Sequence, residues 1–253
     1  MKNIRSYIIA LLCIVLLSAC EKRDTPGVAS LNVFNGITGS NLLVTNFNGT
    51  HPLVWYRSAH RLSYGDPGDV AAYNSVRNRL YSYSGPQRIT FFEYPDTLAH
   101  SVPVTEVQVD LPVSSINTLF LTGTVQAPDA FFLHDVLPHH AITDSVVSIR
   151  VVNLVKGLTV SVNLQGEAGG SEVQSLEYKA VSGFKDYDVK KVPEIYEFEI
   201  RNKSTGNLIT TQTMDTRDRD IGYGLANLHR FRNFTIILFG DASAPRSVVM
   251  SNN

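Results

Sequence analysis

The sequence repeats itself, and the repeat limits the fold more than any other feature. Ser30–Asn35 (SLNVFN) returns as Ser148–Asn153 (SIRVVN). Leu42–Gly49 (LLVTNFNG) returns as Thr159–Gly166 (TVSVNLQG). Leu62-x-Tyr64 followed by Tyr73 matches Leu176-x-Tyr178 followed by Tyr187, and Thr118–Gly123 (TLFLTG) matches Thr235–Gly240 (TIILFG). Four blocks in one order, twice over, point to duplication of a single structural unit. A chain of 253 residues then holds two units of about 110 residues, the size of one β-sandwich.

The periodicity inside each unit is two. VSIRVVN, TVSVNLQG, IYEFEIRN and NLITTQTM alternate or cluster β-branched residues, and Gly, Asn, Asp and Pro punctuate them at intervals of about ten residues. Residues 70–80 (VAAYNSVRNRL) come nearest to a helical pattern, as a single turn or an irregular loop. The expected fold is all-β: two tandem β-sandwich domains, Ig-like or transthyretin-like, each of about seven short strands. They are placed at residues 29–136 and 146–253, with a linker at 137–145 where Pro138 and polar residues separate two strand patterns. A hydrophobic content of 43% against 18% charged residues excludes wholesale disorder. A net charge of −1 with no basic block excludes nucleic acid as the main partner.

The first residues read as an address. Lys2 and Arg5 precede an apolar run, Tyr7–Leu17, which is too short to span a bilayer. Leu17-Ser18-Ala19-Cys20 follows, and the whole resembles the signal of bacterial lipoproteins. That resemblance implies a signal peptide at 1–19, acylation of Cys20, and a lipidated tether at 20–28. The expected partner is a membrane, held through N-terminal acyl chains, and the expected location is the cell envelope at the outer membrane. The acidic residues after Cys20 are interrupted by Lys22 and Arg23, which leaves the periplasmic or surface face open. The only other cysteine, Cys13, falls inside the signal peptide, so the mature chain has no disulfide and no thiolate metal site.

The repeat itself resembles the domain of unknown function 4397 family of extracytoplasmic lipoproteins, often found as tandem copies. Ile149–Asn153 is similar to that family's opening R-V-R-V-x-N/H strand, and Thr159–Gly166 to its V-D-V-Y-L-N-G strand. Tyr187-Asp188-Val189, Tyr196–Arg201 and Phe234–Gly240 are similar to its later elements. The P-A-G-T-Y turn of the family is replaced by Val192-Pro193-Glu194-Ile195-Tyr196 in the second copy and by Ser84-Gly85-Pro86-Gln87 in the first. The resemblance implies a sandwich fold and an envelope location, and no activity.

Chemistry-bearing patterns are sparse. No G-x-S-x-G, P-loop, HExxH or EF-hand motif occurs. His134-Asp135 and His139-His140 have the donors for zinc, but a solvated connector explains them more simply. Asp215–Asp220 (DTRDRD) has oxygens for calcium, but its two arginines neutralise the acids, and a solvated, self-paired loop is favoured. Asp66-Pro67-Gly68-Asp69 reads as a turn. No metal and no cofactor is expected.

Aromatic residues are more suggestive. Tyr64 and Tyr73 have partners in the second copy and read as structural. Trp55, Tyr56, Tyr81 and Tyr83 have none, and Tyr81 and Tyr83 share one face of a strand. The plainer reading of each ring is core packing. With Arg57 they form the candidate ligand-binding set, since ring faces beside cationic side chains stack on sugars or peptides. The expectation is a non-enzymatic, lipid-anchored envelope protein presenting a binding or structural surface to a glycan or an envelope protein. Two alternatives stay open: a glycan-binding accessory lipoprotein using these aromatics, and a hydrolase whose carboxylates meet only on folding.

Overall fold

The computed structural model describes residues 26–47, 49, 61–68, 78–95, 101–141, 143–189, 195–216 and 229–252. Regular structure among them is β-strand throughout. The first copy contributes β1 (Val28–Asn35), β2 (Leu42–Phe47), β3 (Arg61–Ser63), β4 (Arg79–Tyr83), β5 (Gly85–Glu93), β6 (Thr105–Leu111), β7 (Ile116–Thr124) and β8 (Ala127–His134). The second contributes β9 (Val146–Asn153), β10 (Val160–Leu164), β11 (Val173–Leu176), β12 (Ala180–Val181), β13 (Lys185–Asp188), β14 (Ile195–Asn202), β15 (Leu208–Asp215), β16 (Asn233–Phe239) and β17 (Arg246–Ser251). Among the described residues that is eight and nine strands, against about seven expected. Each copy adds a strand after its TLFLTG or TIILFG block, and the second adds the two-residue β12.

The strands form four sheets, in the orders β4-β1-β7-β8, β3-β2-β5-β6, β12-β9-β16-β17 with β13 also on β9, and β11-β10-β14-β15. The fold is all-β, as the periodicity predicts. In each copy the first strand runs parallel to the late strand that closes the repeat: Asn35 lies opposite Leu121, and Asn153 opposite Leu238.

The shared asparagine explains why the repeat is written as it is. The Asn153 side chain accepts from the Val155 N–H at 2.9 Å and donates to the carbonyls of Leu176 at 3.1 Å and Leu158 at 2.7 Å. Asn35 does the same in the first copy, accepting from the Ile37 N–H at 3.2 Å and donating to the Leu62 carbonyl at 3.1 Å. Each asparagine ends a strand, turns the chain, and ties the Leu-x-Tyr block to it across the sandwich. Both asparagines are buried, so each bond replaces one that water would otherwise make.

One part of the repeat alignment needs correction. Tyr187 lies opposite Val147 on β9, and Ser82 lies opposite Ala29 on β1. Ser82, rather than Tyr73, holds the position of Tyr187. The path from Tyr64 to Ser82 is twice as long as that from Tyr178 to Tyr187, so equal spacing of the tyrosines misleads. Tyr73 lies outside the described residues, as do positions 70–77 of the segment with the nearest helical pattern; Arg79 and Leu80 at its end belong to β4.

Each copy has its own core. Leu31, Val33, Leu43, Ile89, Phe91 and Leu119 fill the first, and Ile149, Val162, Phe198, Ile200, Phe234 and Ile236 the second. A third cluster joins them: Phe34 and Phe120 from the first copy meet Val152, Leu154, Ile237, Phe239 and Met250 from the second. Alternation along β1 explains the geometry, since Leu31 and Val33 point into the first core and Phe34 points the opposite way. The sheets of β1 and β9 therefore bury both faces, and the molecule is a stack of four β-layers. Phe239 makes edge contacts with Phe34 at 5.2 Å and Tyr64 at 5.5 Å between centroids. A Cβ on Gly65 would come within 2.6 Å of the Phe239 ring, and its φ of +68° suits glycine as well.

Candidate functional site

The sequence groups His134-Asp135 with His139-His140, as zinc donors or as a solvated connector. His134, Asp135, His139 and His140 do not converge. Asp135 is buried and accepts from Arg150 Nη2 at 2.5 Å and from the Thr118 hydroxyl at 2.6 Å. Arg150 Nε donates to the Thr235 hydroxyl at 2.9 Å, which donates to Asn252 Oδ1 at 2.6 Å. The guanidinium also lies 4.6 Å from the Phe184 ring centroid. His134 Nδ1 sits 3.1 Å from Asn117 Oδ1, His139 is exposed, and His140 turns back onto β9. Among the described residues no cluster of His, Cys, Asp and Glu is arranged to hold a metal ion. Of Asp215–Asp220, residues 217–220 lie outside the described residues. Asp66 accepts from the Gly68 N–H at 2.9 Å, which closes a turn.

A hydroxyl, an imidazole and a carboxylate do meet at Ser148. Its Oγ lies 2.7 Å from His140 Nε2 and donates to Asp186 Oδ1 at 2.5 Å. For nucleophilic catalysis the imidazole must accept the hydroxyl proton, with the carboxylate behind the imidazole. Here the serine stands in the middle, its proton goes to Asp186, and the residue is fully buried. The chain of bonds ties the 137–145 segment to β9 and β13. His140 is therefore packed, its side chain only 7% exposed, rather than a solvated connector residue.

Other carboxylates face cations. Glu172 pairs with Lys185 at 2.8 Å and accepts the Tyr187 hydroxyl. Burial pushes the Glu172 carboxyl up, but the Lys185 ammonium and the Tyr187 hydroxyl hold it below its ordinary value. Burial, reinforced by Glu172, raises the Tyr187 phenol. Glu199 pairs with Arg201 at 2.7 Å, and Arg88 with Glu106 at 2.6 Å. None of these pairs sets two carboxylates against each other, as hydrolysis by a carboxylate pair requires.

Across the joint, Asp129 on β8 accepts from Lys179 Nζ at 2.5 Å and from the Tyr178 hydroxyl at 2.9 Å. Lys179 has a φ of +58° and stands where the first copy has Gly65. Burial, then Asp129, pushes the Tyr178 phenol up to about 12. Burial would raise Asp129, but Lys179, the Ala130 N–H and Tyr178 together lower it. A lowered carboxyl contributes stability above its unfolded pKa of about 3.9, lost as pH falls through the folded value. Asp129→Asn is therefore expected to lower the urea midpoint at pH 7 by the equivalent of about 0.5–1 kcal/mol, since both partners are partly exposed. The deficit should shrink as pH drops below about 4, and urea titrations of both proteins at pH 7 and pH 3 check this.

The remaining sequence candidates are surface groups or lie outside the described residues. Cys20, Trp55, Tyr56 and Arg57 lie outside them. Tyr81 and Tyr83 are 75% and 63% exposed, which overturns core packing for both. They sit on the edge strand β4, opposite Ser30 and Val28. The matching register positions in the second copy, opposite Ser148 and Val146, are Asp186 and Asp188. The fold of the repeat therefore does not require tyrosine there. Leu80, the residue before Tyr81, is buried in the first core, and Gln87 Nε2 donates to the Tyr83 carbonyl at 3.1 Å, which fixes the strand end. Beside it, a shallow groove of about 460 Å³ runs along β5 and β6, lined by Gln87, Arg88, Gln108 and Asp110. No helix of the described residues is long and apolar enough to cross a membrane. No protein-family model matches the chain, and no curated protein matches it.

Proposed function

We propose that this protein is a non-enzymatic, lipid-anchored component of the bacterial cell envelope, a rigid double sandwich held to a membrane through Cys20. The joint carries the non-enzymatic part of this reading. Asp135, Arg150, Asp129 and Tyr178, groups from which a site would be built, are spent on holding the two halves together, and Ser148 on tying His140 of the 137–145 segment to Asp186 of the second copy. The lipobox Leu17–Cys20 supports the anchor, and the strand motifs similar to the domain of unknown function 4397 family support the envelope location. The exposed pair Tyr81 and Tyr83 favours a second reading, an accessory glycan-binding surface.

Intact mass of the protein from a bacterial membrane preparation tests the anchor. The expected species begins at Cys20 and carries the mass of a diacylglyceryl group and an amide-linked acyl chain. An unmodified Cys20, or a chain beginning elsewhere, contradicts it.

A further inference from the structure

Among the described residues of the first copy, five of the six exposed large apolar side chains gather at one place. Val28 is 58% exposed, Tyr81 75%, Tyr83 63%, Val113 65% and Val136 79%. Strand register brings all five to one end. Val28 begins β1 and lies opposite Tyr83, while Tyr81 lies opposite Ser30 on the same face. The Ser114 N–H donates to the Val28 carbonyl at 2.8 Å, and a Cβ on Gly27 would come within 2.8 Å of Val113, so Val113 adjoins the chain entry. The Asp135 N–H donates to the carbonyl of Ile116, the neighbour of Ser30, which brings Val136 to the same end. Val102 lies at the opposite end, beside the Val104–Phe91 bond and the Phe91–Thr105 pair.

That end is also where the chain comes in. Seven residues, hence eight Cα-to-Cα steps, separate Cys20 from Val28, and a fully extended chain covers at most about 3.5 Å per step, or about 28 Å. Strands of eight residues make the body itself about 27 Å tall. A tether this short keeps the entry end close to whatever holds Cys20. Tyrosine is suited to that boundary, since its ring enters the headgroup region while its hydroxyl stays hydrated. The second copy, whose entry strand follows a linker rather than a lipid, has Asp186 and Asp188 where the first has its tyrosines.

We infer that the patch of Val28, Tyr81, Tyr83 and Val113 rests on the lipid headgroups and sets the tilt of the body on the membrane. This rests on anchoring through Cys20. A glycan or a partner protein would find the same patch, but neither accounts for its position at the chain entry.

The test uses the acylated full chain. Its only mature cysteine is Cys20, so Tyr83→Cys and Val102→Cys each supply one site for an environment-sensitive dye. Each protein is reconstituted into phosphatidylethanolamine and phosphatidylglycerol vesicles containing a headgroup spin label, and vesicle flotation is scored in the same samples. The expected result is emission lost at Tyr83→Cys and retained at Val102→Cys. Equal emission at both sites in floating samples overturns the seating and leaves the anchor standing. Emission at Tyr83→Cys that responds to added envelope glycan and not to the spin-labelled lipid also overturns it, in favour of the glycan reading. Protein that fails to float overturns the anchor and the seating together.

Discussion

Replacing Asp135 with alanine is expected to destabilise the chain by about 3–5 kcal/mol, measured by urea denaturation at pH 7. Asp135 and Arg150 are buried, at 0% and 5% side-chain exposure, and the alanine leaves a guanidinium inside the joint with no counter-charge. The Thr118 hydroxyl loses its acceptor as well. The cost belongs to the orphaned charge rather than to the pair, because a buried ion pair gains little over an apolar replacement of similar volume. Arg150→Met in the Asp135→Ala background should therefore recover most of the loss. Additive losses in the double variant would show that Asp135 and Arg150 act independently and that the joint is not closed by this pair.

Much of this architecture was legible in the sequence, and the parts that were not share a physical cause. Repeat blocks and strand periodicity identified β1, β2, β9 and β10 because they are local patterns. The asparagine ending SLNVFN and SIRVVN repeats because both copies need the same turn and the same tie to a Leu-x-Tyr block. The joint left a faint trace too: in Val146–Asn153 (VVSIRVVN) the face opposite Val147, Ile149 and Val151 carries Val146 and Val152 besides the polar Ser148 and Arg150. What it packs against has no local signature. Asp135 meets Arg150 across the joint, so beside His134 and His139 it resembled part of a metal cluster. Tyr64 read as structural because Tyr178 repeats it, but the acceptor of the Tyr178 hydroxyl, Asp129, lies 49 positions away.

The tyrosines of β4 show the same limit from the other side. YSYS fits an edge strand with one ring-bearing face whether that face is covered or bare. Only the sheet order, with β4 outermost, decides for exposure. Trp55, Tyr56 and Arg57, in the sequence the companions of Tyr81 and Tyr83, lie outside the described residues.

Cys20 carries the largest functional prediction. One acyl chain gives marginal membrane binding, and further chains add about 0.8 kcal/mol per buried CH₂, so a multiply acylated cysteine holds firmly where an unmodified chain has no comparable hold. The core clusters and the joint described above are formed by residues from Ala29 onward, so Cys20→Ala should fold as the wild type does, with the same urea midpoint. The decisive measurement is fractionation of cells expressing each form, with a high-salt wash of the membranes followed by detergent. The wild type is expected to stay with the washed membranes until detergent releases it, while Cys20→Ala appears in the soluble fraction. A folded Cys20→Ala protein that remains with the salt-washed membranes as the wild type does would contradict anchoring through Cys20.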